Sequence, residues 1–186
     1  EAARALAARG MLLTLDQLGE GVANLDEADT ATRVYLDMVK RIVAAGVERN
    51  ISLKLTQLGL QIDRASCTDN LRKILEAVKA DDFFVRIDME DSPTIQTTLD
   101  IHETLWTHGY RNVGLVLQSA IVRAEDDLKR LNRMGVRVRL VKGAYKEPSS
   151  VAHQKKADVD AAFVRMTKSL LEEGTYPAIA THDVAI

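Results

Sequence analysis

The stretch VRIDME at residues 85–90 alternates apolar and charged residues with the period of two that is typical of a β-strand. Its apolar residues lie on one face and its three charged residues on the other. Residues 51–57 and 136–141 repeat this alternation. A doubly wound parallel sheet buries both faces of its strands, which then read as almost continuous apolar runs. The alternation therefore favours a barrel whose strands are apolar outside and polar inside, close to a ligand site.

Strand-like and helical stretches alternate along the whole chain. The apolar spacing predicts strands at 11–15, 51–60, 83–89, 113–118, 136–141 and 176–181, and helices at 30–45, 71–78, 94–108, 124–134 and 157–173. Such an α/β alternation predicts a mostly parallel sheet. No Pro-, Gly- or Ser-rich linker interrupts it, so we expect one domain over residues 1–186. A (βα)8 barrel needs about 250 residues, and we therefore expect the first six βα units of a C-terminally incomplete barrel.

The composition excludes several classes of protein. Lys and Arg number 25 and Asp and Glu 27, so the formal net charge is −2, whereas a nucleic-acid-binding protein would carry a basic field. The single cysteine, Cys67, excludes an internal disulfide and a Cys-based zinc cluster and is expected to be an inert thiol. No apolar stretch approaches the roughly 18 residues that span a bilayer, and no signal peptide is visible. We expect a soluble protein of a reducing compartment.

Common cofactor and metal motifs are absent. No G-x-G-x-x-G follows a predicted strand, and neither a P-loop nor H-E-x-x-H occurs. The four histidines lack metal-ligand spacing, so no metal site is predicted. His102 and His108 lie in a predicted helix and are expected to be surface residues. His182 follows the sixth predicted strand, where barrel active sites lie, so a functional and a structural role are equally open there.

Polar residues recur where the predicted strands end. They are Lys54, Thr56 and Gln57, then Asp88, Glu90 and Asp91, then Gln118 and Ser119, then Arg139 and Lys142, and finally Thr181, His182 and Asp183. Burying such charges unpaired would cost on the order of several kcal/mol each, so we expect them to pair with one another or with a ligand. Lys54 and Asp88 are the natural internal pair, because their strands are neighbours and both side chains are predicted to point inward.

The polar set is consistent with three kinds of function. Arg139 can stabilise negative charge that develops on an electron-accepting ring, Gln118 offers a donor and an acceptor to an imide edge, and Lys54 can bind a carboxylate. These properties suit a small anionic substrate and an aromatic cofactor. Alternatively, Lys54 or Lys142 forms an imine in an aldolase-type barrel. A third possibility is a non-catalytic barrel in which the charges only satisfy one another.

Four strings carry a resemblance to a known family. SLKLTQLGL at 52–60, VRIDMED at 85–91, VLQS at 116–119 and RLVKGAY at 139–145 strongly resemble proline dehydrogenase, in particular the small monofunctional bacterial enzymes of the Thermus and Deinococcus type. The likeness runs from about Met11 to Asp183, with the motifs in the family's order. It implies a distorted (βα)8 TIM barrel with non-covalent FAD. The implied reaction, the first step of proline catabolism, oxidises L-proline to Δ1-pyrroline-5-carboxylate by hydride transfer to flavin N5.

The resemblance also implies roles for individual residues. Lys54 would contact the proline carboxylate. Asp88, which would hold that lysine in place, and Arg139, which would lie near flavin N5, are the implied catalytic residues. Binding of FAD would involve Met89, Gln118, Arg139, Lys142, Gly143, Ala144, Thr181 and His182. In the family, a tyrosine and paired arginines nearer the C-terminus complete the carboxylate site. The chain stops at Ile186, before any counterpart of them, so we expect the isolated piece to be inactive or poorly folded unless another chain supplies the missing part.

The resemblance names partners as well. They are L-proline and an electron acceptor, either quinone or another compound. Two locations stay open, free in the cytoplasm or peripheral to the inner membrane, and the oligomeric state is open too.

Overall fold

The computed structural model describes residues 1–186 and contains two compact units. The first unit comprises Glu1–Asp88 together with Thr104–Val113, and the second comprises Met89–Glu103 together with Gly114–Ile186. Parallel strands alternate with helices in each unit. The predicted order of strands and helices is therefore confirmed.

The first unit holds three parallel strands. Its elements are, in chain order, α1 (Ala2–Ala7), β1 (Leu15–Asp16), α2 (Leu25–Ala45), β2 (Asn50–Leu53), α3 (Arg64–Val78) and β3 (Phe84–Ile87). β2 pairs with β1 on one side and with β3 on the other. The register places Leu53 opposite Ile87. The chain therefore leaves the two strands at the same level, at Lys54 and Asp88.

Local signals in the sequence set the bounds of α2. The Asn24 side chain accepts a hydrogen bond from the Glu27 N–H at 2.9 Å, and the Glu27 carboxylate accepts one from the Ala23 N–H at 2.8 Å. Asn24 is therefore the N-cap, and the Glu27 carboxylate binds the N–H of the residue before it, one position earlier than in a capping box. The helix ends at Gly46, whose φ of +64° is accessible to glycine without a clash of Cβ. Its buried side chains, among them Tyr35, pack on the side of α3.

α3 begins earlier than its apolar spacing predicts, at Arg64 instead of residue 71. The Asp63 carboxylate accepts a hydrogen bond from the Ser66 N–H at 2.6 Å, and this cap starts the helix. Cys67 consequently lies inside α3, fully buried, with its sulfur 3.4 Å from the carbonyl oxygen of Leu55. A buried thiol of this kind is protected from reagents, which supports the expectation that Cys67 is inert.

The strand predicted over 51–60 is wrong beyond Leu53. The chain turns in a short 3-10 helix at Thr56–Leu58 and leaves it at Gly59, whose φ is +98°. Thr56 therefore does not continue the polar face of β2. Its buried hydroxyl and the buried Gln57 amide instead bind the loop that follows β1, and this tertiary pairing overrides the alternating pattern.

The remaining elements are α4 (Ser92–Thr107), β4 (Val113–Gln118), α5 (Ala124–Met134), β5 (Val138–Val141), α6 (Lys156–Glu173) and β6 (Ala178–Ile179). They lie in the second unit, except that the last turn of α4 and the first residue of β4 belong to the first unit. β5 pairs in parallel with β4 and with β6, and its register places Val141 opposite Gln118 and Arg139 opposite Ala178. None of the helices combines the length and the apolar character needed to cross a membrane.

The alternation used to predict the fold is present in β5 but not in every strand. Val138 and Leu140 are buried, whereas Arg139 and Val141 are half-buried. In β3 and β4 every residue is buried, including Arg86, whose guanidinium lies over the Phe84 ring at 4.9 Å. A charged residue in an alternating stretch therefore does not mark an exposed face here.

The expectation that His102 is a surface residue is wrong, because its side chain is only 1% exposed. It lies on the buried face of α4 with Ile95, Leu99 and Leu105, at the helical spacing of three and four residues. That spacing is visible in the sequence and could have placed the histidine in the core. His108 is exposed, as predicted, and its Nδ1 lies 2.7 Å from the Thr104 carbonyl oxygen.

Candidate active site

Residues of the predicted polar set lie at the carboxyl ends of the strands or directly after them. In the first unit, Lys54 follows β2 and Asp88 follows β3. In the second unit, Gln118 ends β4, Lys142 follows β5 and Thr181 comes shortly after β6. The carboxyl ends of parallel strands are where α/β barrels and open sheets bind ligands. Each unit therefore carries candidate residues at the edge where function is expected.

Lys54 and Asp88 form the ion pair that the sequence predicts. Nζ of Lys54 lies 4.0 Å from Oδ2 of Asp88, and the two side chains are 18% and 17% exposed. Asp88 is fixed from its main chain, because its N–H donates to the Leu53 carbonyl at 2.8 Å. At 4.0 Å the pair is held by charge attraction and not by a hydrogen bond. The Lys54 ammonium therefore keeps its N–H donors for an anion such as a carboxylate.

Thr56 and Gln57 stabilise the fold of the first unit through hydrogen bonds within the protein. The Gln57 amide donates to the Gln17 carbonyl at 3.0 Å and accepts from the Tyr35 hydroxyl at 2.9 Å. The Thr56 hydroxyl accepts from the Gly21 N–H at 3.0 Å. These bonds hold the loop after β1 against the turn after β2, so this part of the polar set is satisfied without a ligand.

Gln118 is oriented by the main chain of the segment that follows β3. Its amide nitrogen donates to the carbonyl oxygens of Met89 at 2.9 Å and Glu90 at 3.1 Å. An amide NH2 has two protons, and both are used here. The sequence predicts that Gln118 offers a ligand both a donor and an acceptor. In the structure the donor is used within the protein, and only the acceptor oxygen Oε1 is left for a ligand.

Gly143 lies against Gln118 in a conformation and at a distance that favour glycine. Its φ is +106°, and a Cβ at this position would lie 3.0 Å from Oε1 and 3.3 Å from Cβ of Gln118. Gly143 and Ala144 are both exposed, whereas Met89 is 6% exposed. The glycine therefore leaves its main chain open to close approach beside the amide oxygen of Gln118.

Glu147 is a residue that the sequence reasoning missed. Its Oε1 accepts from the Ser92 N–H at 2.7 Å, and its Oε2 accepts from the Ser92 hydroxyl at 2.5 Å. A carboxylate at the start of a helix is favourable because the first N–H groups lack partners within the helix. Glu147 thus joins the loop before α6 to the start of α4. No sequence signal connects two residues that lie 55 positions apart.

Replacing Glu147 with Ala is expected to destabilise the protein by about 0.5–2 kcal/mol, the range measured for loss of a helix cap. Chemical denaturation of the full-length protein measures this. Glu172→Ala is the matched control, because the Glu172 side chain is exposed on α6 and makes no hydrogen bond or ion pair. Ser92→Ala should cost less than Glu147→Ala, because it removes the hydroxyl and retains the N–H. Equal stability of the Glu147 and Glu172 variants would show that the contact contributes nothing.

Lys142 is held by two carboxylates of the second unit. Its Nζ lies 2.6 Å from Oδ1 of Asp160 and 2.6 Å from Oδ2 of Asp183. These hydrogen bonds raise the pKa of Lys142, and the bond to Asp160 has the larger effect. The bonds from Lys142 and from Lys156 hold the pKa of Asp183 well below its usual value. Lys142 therefore stays protonated at neutral pH.

Three further predicted residues complete the second unit's group. Arg139 lies in β5 and is half-buried, while Thr181 and His182 are exposed after β6. The Thr181 hydroxyl oxygen accepts from the Asp183 N–H at 3.0 Å, so its own proton stays available to a ligand. The structure thus brings Lys54 and Asp88 together in the first unit. Along the strand ends of the second unit it places Gln118, Arg139, Lys142, Gly143, Thr181 and His182.

Comparison with solved structures confirms the fold class. The chain matches the crystal structure of proline utilization A (PutA) from Bdellovibrio bacteriovorus inactivated by N-propargylglycine with a TM-score of 0.87 and 25% identity. The match covers 98% of this chain and 24% of that one. The α/β fold of the distorted (βα)8 barrel type, of which the chain covers about six units, is therefore as predicted.

Comparison with known sequences gives the same result. Proline dehydrogenase 2 of Bacillus subtilis (strain 168) is 38% identical over 180 residues, which are 97% of this chain and 59% of that protein. Proline dehydrogenase of Deinococcus radiodurans is 36% identical over 193 residues, covering all of this chain and 61% of that protein. The chain thus spans about three fifths of the length of these relatives. The family model described as proline dehydrogenase matches residues 1–185, and the chain belongs to the proline dehydrogenase family.

Proposed function

We propose that this chain carries part of the active site of a flavin-dependent enzyme that oxidises L-proline to Δ1-pyrroline-5-carboxylate. The observation that carries the proposal is the Lys54–Asp88 pair, a half-buried ammonium held by charge at the end of β2 with its N–H donors uncommitted. Membership of the proline dehydrogenase family supports the reaction class. We propose the cytoplasm or the inner-membrane surface as its location, and a quinone or another compound as its electron acceptor.

Lys54 and Asp88 would bind and orient the substrate. The ammonium of Lys54 would donate hydrogen bonds to the proline carboxylate, and such charge-assisted bonds are among the strongest in proteins. Asp88, fixed by its main-chain bond to Leu53, would hold the ammonium in position without using its donors. The pair would therefore select a small substrate that carries a negative charge.

The residues of the second unit fit a flavin dinucleotide. Gly143 provides a cradle that a Cβ would fill, and the acceptor oxygen of Gln118 lies beside it. That oxygen can accept a hydrogen bond from an imide N–H of the ring, and Lys142 and Arg139 supply cations for phosphates and for a ring that gains charge. Met89, Ala144, Thr181 and His182 are proposed as further contacts. When bound, FAD would supply the electron acceptor for the oxidation of proline.

Positive charge at Arg139 would favour the reduced form of such a ring. A guanidinium stays protonated at all physiological pH values, so its charge is already in place when the ring becomes negative. Preorganised charge of this kind is usually the largest contribution that a protein makes to catalysis. Arg139 and Asp88 are therefore our proposed catalytic residues, one acting on the cofactor and one on the substrate-binding lysine.

The electrostatics of Lys142 disfavour the aldolase alternative at that residue. Imine formation requires a neutral amine, whereas Asp160 and Asp183 raise the pKa of Lys142. For Lys54 the same alternative is tested by borohydride treatment in the presence of a carbonyl substrate. Covalent trapping on Lys54 would support an imine mechanism and count against our proposal.

A product assay tests the proposed reaction. The full-length protein, supplied with FAD and an artificial electron acceptor, should convert L-proline into a cyclic imine that an aromatic amino-aldehyde traps as a coloured adduct. D-Proline is the control for non-enzymatic oxidation. Reduction of the acceptor without formation of the adduct would mean that a different bond of the substrate is oxidised.

A further inference from the structure

Two lysines and two aspartates of the second unit form a closed ring of ion pairs. Lys142 follows β5, Lys156 and Asp160 lie on the first turns of α6, and Asp183 follows β6. Nζ of Lys142 lies 2.6 Å from each carboxylate, and Nζ of Lys156 lies 2.5 Å from Asp160 and 2.7 Å from Asp183. We call this set the Lys–Asp ring. The formal charges of the two lysines and two aspartates sum to zero. The effect of the Lys–Asp ring on a bound ligand therefore depends on where the lysine N–H groups point.

The two lysines of the Lys–Asp ring are not equivalent. The side chain of Lys142 is 20% exposed, whereas that of Lys156 is 70% exposed. Exposed ion pairs contribute little because water and salt screen them. Lys142 is enclosed further by the buried Phe163, whose ring centroid lies 5.9 Å from its Nζ. Lys142 is therefore the fixed cation of the ring.

The bonds to Asp160 and Asp183 determine where Lys142 directs its remaining donor. An ammonium has three N–H groups, and Asp160 and Asp183 accept two of them. The third N–H is left for another acceptor, and its direction follows from the other two. Without the carboxylates, the four-carbon side chain would be free to rotate.

Asp183 is the member of the ring that connects it to the end of β6. Its Oδ1 accepts from the Ala185 N–H at 3.0 Å, and its own N–H donates to the Thr181 hydroxyl at 3.0 Å. One residue thus binds both Lys142 and Thr181, each of which has a proton left to donate. An ammonium and a hydroxyl are both donors of the kind that bind phosphate oxygens.

We propose that Asp183 is a positioning residue for the cofactor, which holds the Lys142 ammonium so that its third N–H binds a phosphate of the dinucleotide. This inference rests on the proposed function, because it takes FAD as the ligand. Asp183 itself does not touch the phosphate, since its negative charge would repel it. It acts through Lys142, to which Asp160 is also bound at 2.6 Å.

A double-mutant cycle tests this inference. Asp183→Asn removes the charge that holds Lys142 but keeps the main-chain N–H that binds Thr181. The dissociation constant of FAD is measured on the full-length apoprotein from the quenching of flavin fluorescence. We expect Asp183→Asn and Lys142→Met each to weaken binding about tenfold, and the two together to weaken it little more than Lys142→Met alone, because one acts through the other.

Two controls separate positioning from a structural role. Asp158→Asn makes the same charge change on an exposed residue of α6 and should bind FAD like the wild type. The dependence of FAD binding on salt concentration should flatten equally in the Asp183→Asn and Lys142→Met variants, because both lose the same charged contact. Should Asp183→Asn fail to fold, Asp160→Asn provides the same cycle with Lys142→Met.

Three results would contradict the account at different points. Wild-type affinity in Asp183→Asn, or losses that multiply in the double variant, would overturn the positioning role while leaving FAD binding intact. The positioning role would also be overturned if FAD binding by the Asp183→Asn variant depended on salt concentration as it does in the wild type. A wild-type protein that binds no FAD would overturn the proposed function itself.

Discussion

Replacing Lys54 with Met should raise the KM for L-proline by about 10–100-fold. Hydrogen bonds to a charged group contribute about 1.5–3 kcal/mol, and each 1.4 kcal/mol is about a factor of ten in binding. Methionine keeps much of the length and apolar character of the side chain but removes the ammonium that faces Asp88 at 4.0 Å. Steady-state kinetics over a wide range of proline concentrations measures the effect.

The affinity for FAD separates substrate binding from a structural role of Lys54. Lys54→Met should retain the wild-type dissociation constant for FAD, because the proposed cofactor contacts lie in the second unit. Lys40→Met is the matched control, since Lys40 is exposed on α2 and makes no ion pair. Should Lys54→Met lose affinity for FAD and proline in equal measure, the lysine would be maintaining the fold and not binding the carboxylate.

Replacing Arg139 with Met should slow the reduction of the flavin by L-proline on the order of 100-fold, the scale of losing one preorganised charged or polar contact to a developing negative charge. The reduction potential of the bound flavin should become more negative for the same reason. Rapid-mixing absorbance measurements give the rate constant, and a redox titration gives the potential.

Arg139→Lys distinguishes the charge from the shape of the side chain. It keeps the positive charge and should retain more of the reduction rate than Arg139→Met. Arg133→Met, at an exposed position of α5, is the control for loss of a surface cation. Reduction of the Arg139→Met protein at the wild-type rate would refute the proposed role of this residue.

The parts of the structure that the sequence predicts are those governed by short-range periodicity. The period of two in VRIDME and the helical spacing of 157–173 both gave the correct element, because each depends on residues a few positions apart. The Lys54–Asp88 pair was also predictable, since both residues follow neighbouring parallel strands and the register brings them level.

The parts that the sequence did not predict depend on tertiary contacts. Glu147 binds Ser92 across 55 positions, and the 3-10 turn at Thr56–Leu58 replaces a regular strand because its side chains bind the loop after β1. Partners also decide how a polar residue can act. Gln118 looks like a donor and an acceptor, but two main-chain carbonyls take both of its amide protons.

An absorbance spectrum of the full-length protein, recorded before and after the addition of L-proline under anaerobic conditions, tests the central claim most directly. We predict the visible bands of bound oxidised flavin, and we predict that they bleach when proline is added and stay when D-proline is added. A protein that binds FAD but whose spectrum does not change with L-proline would contradict the proposed reaction.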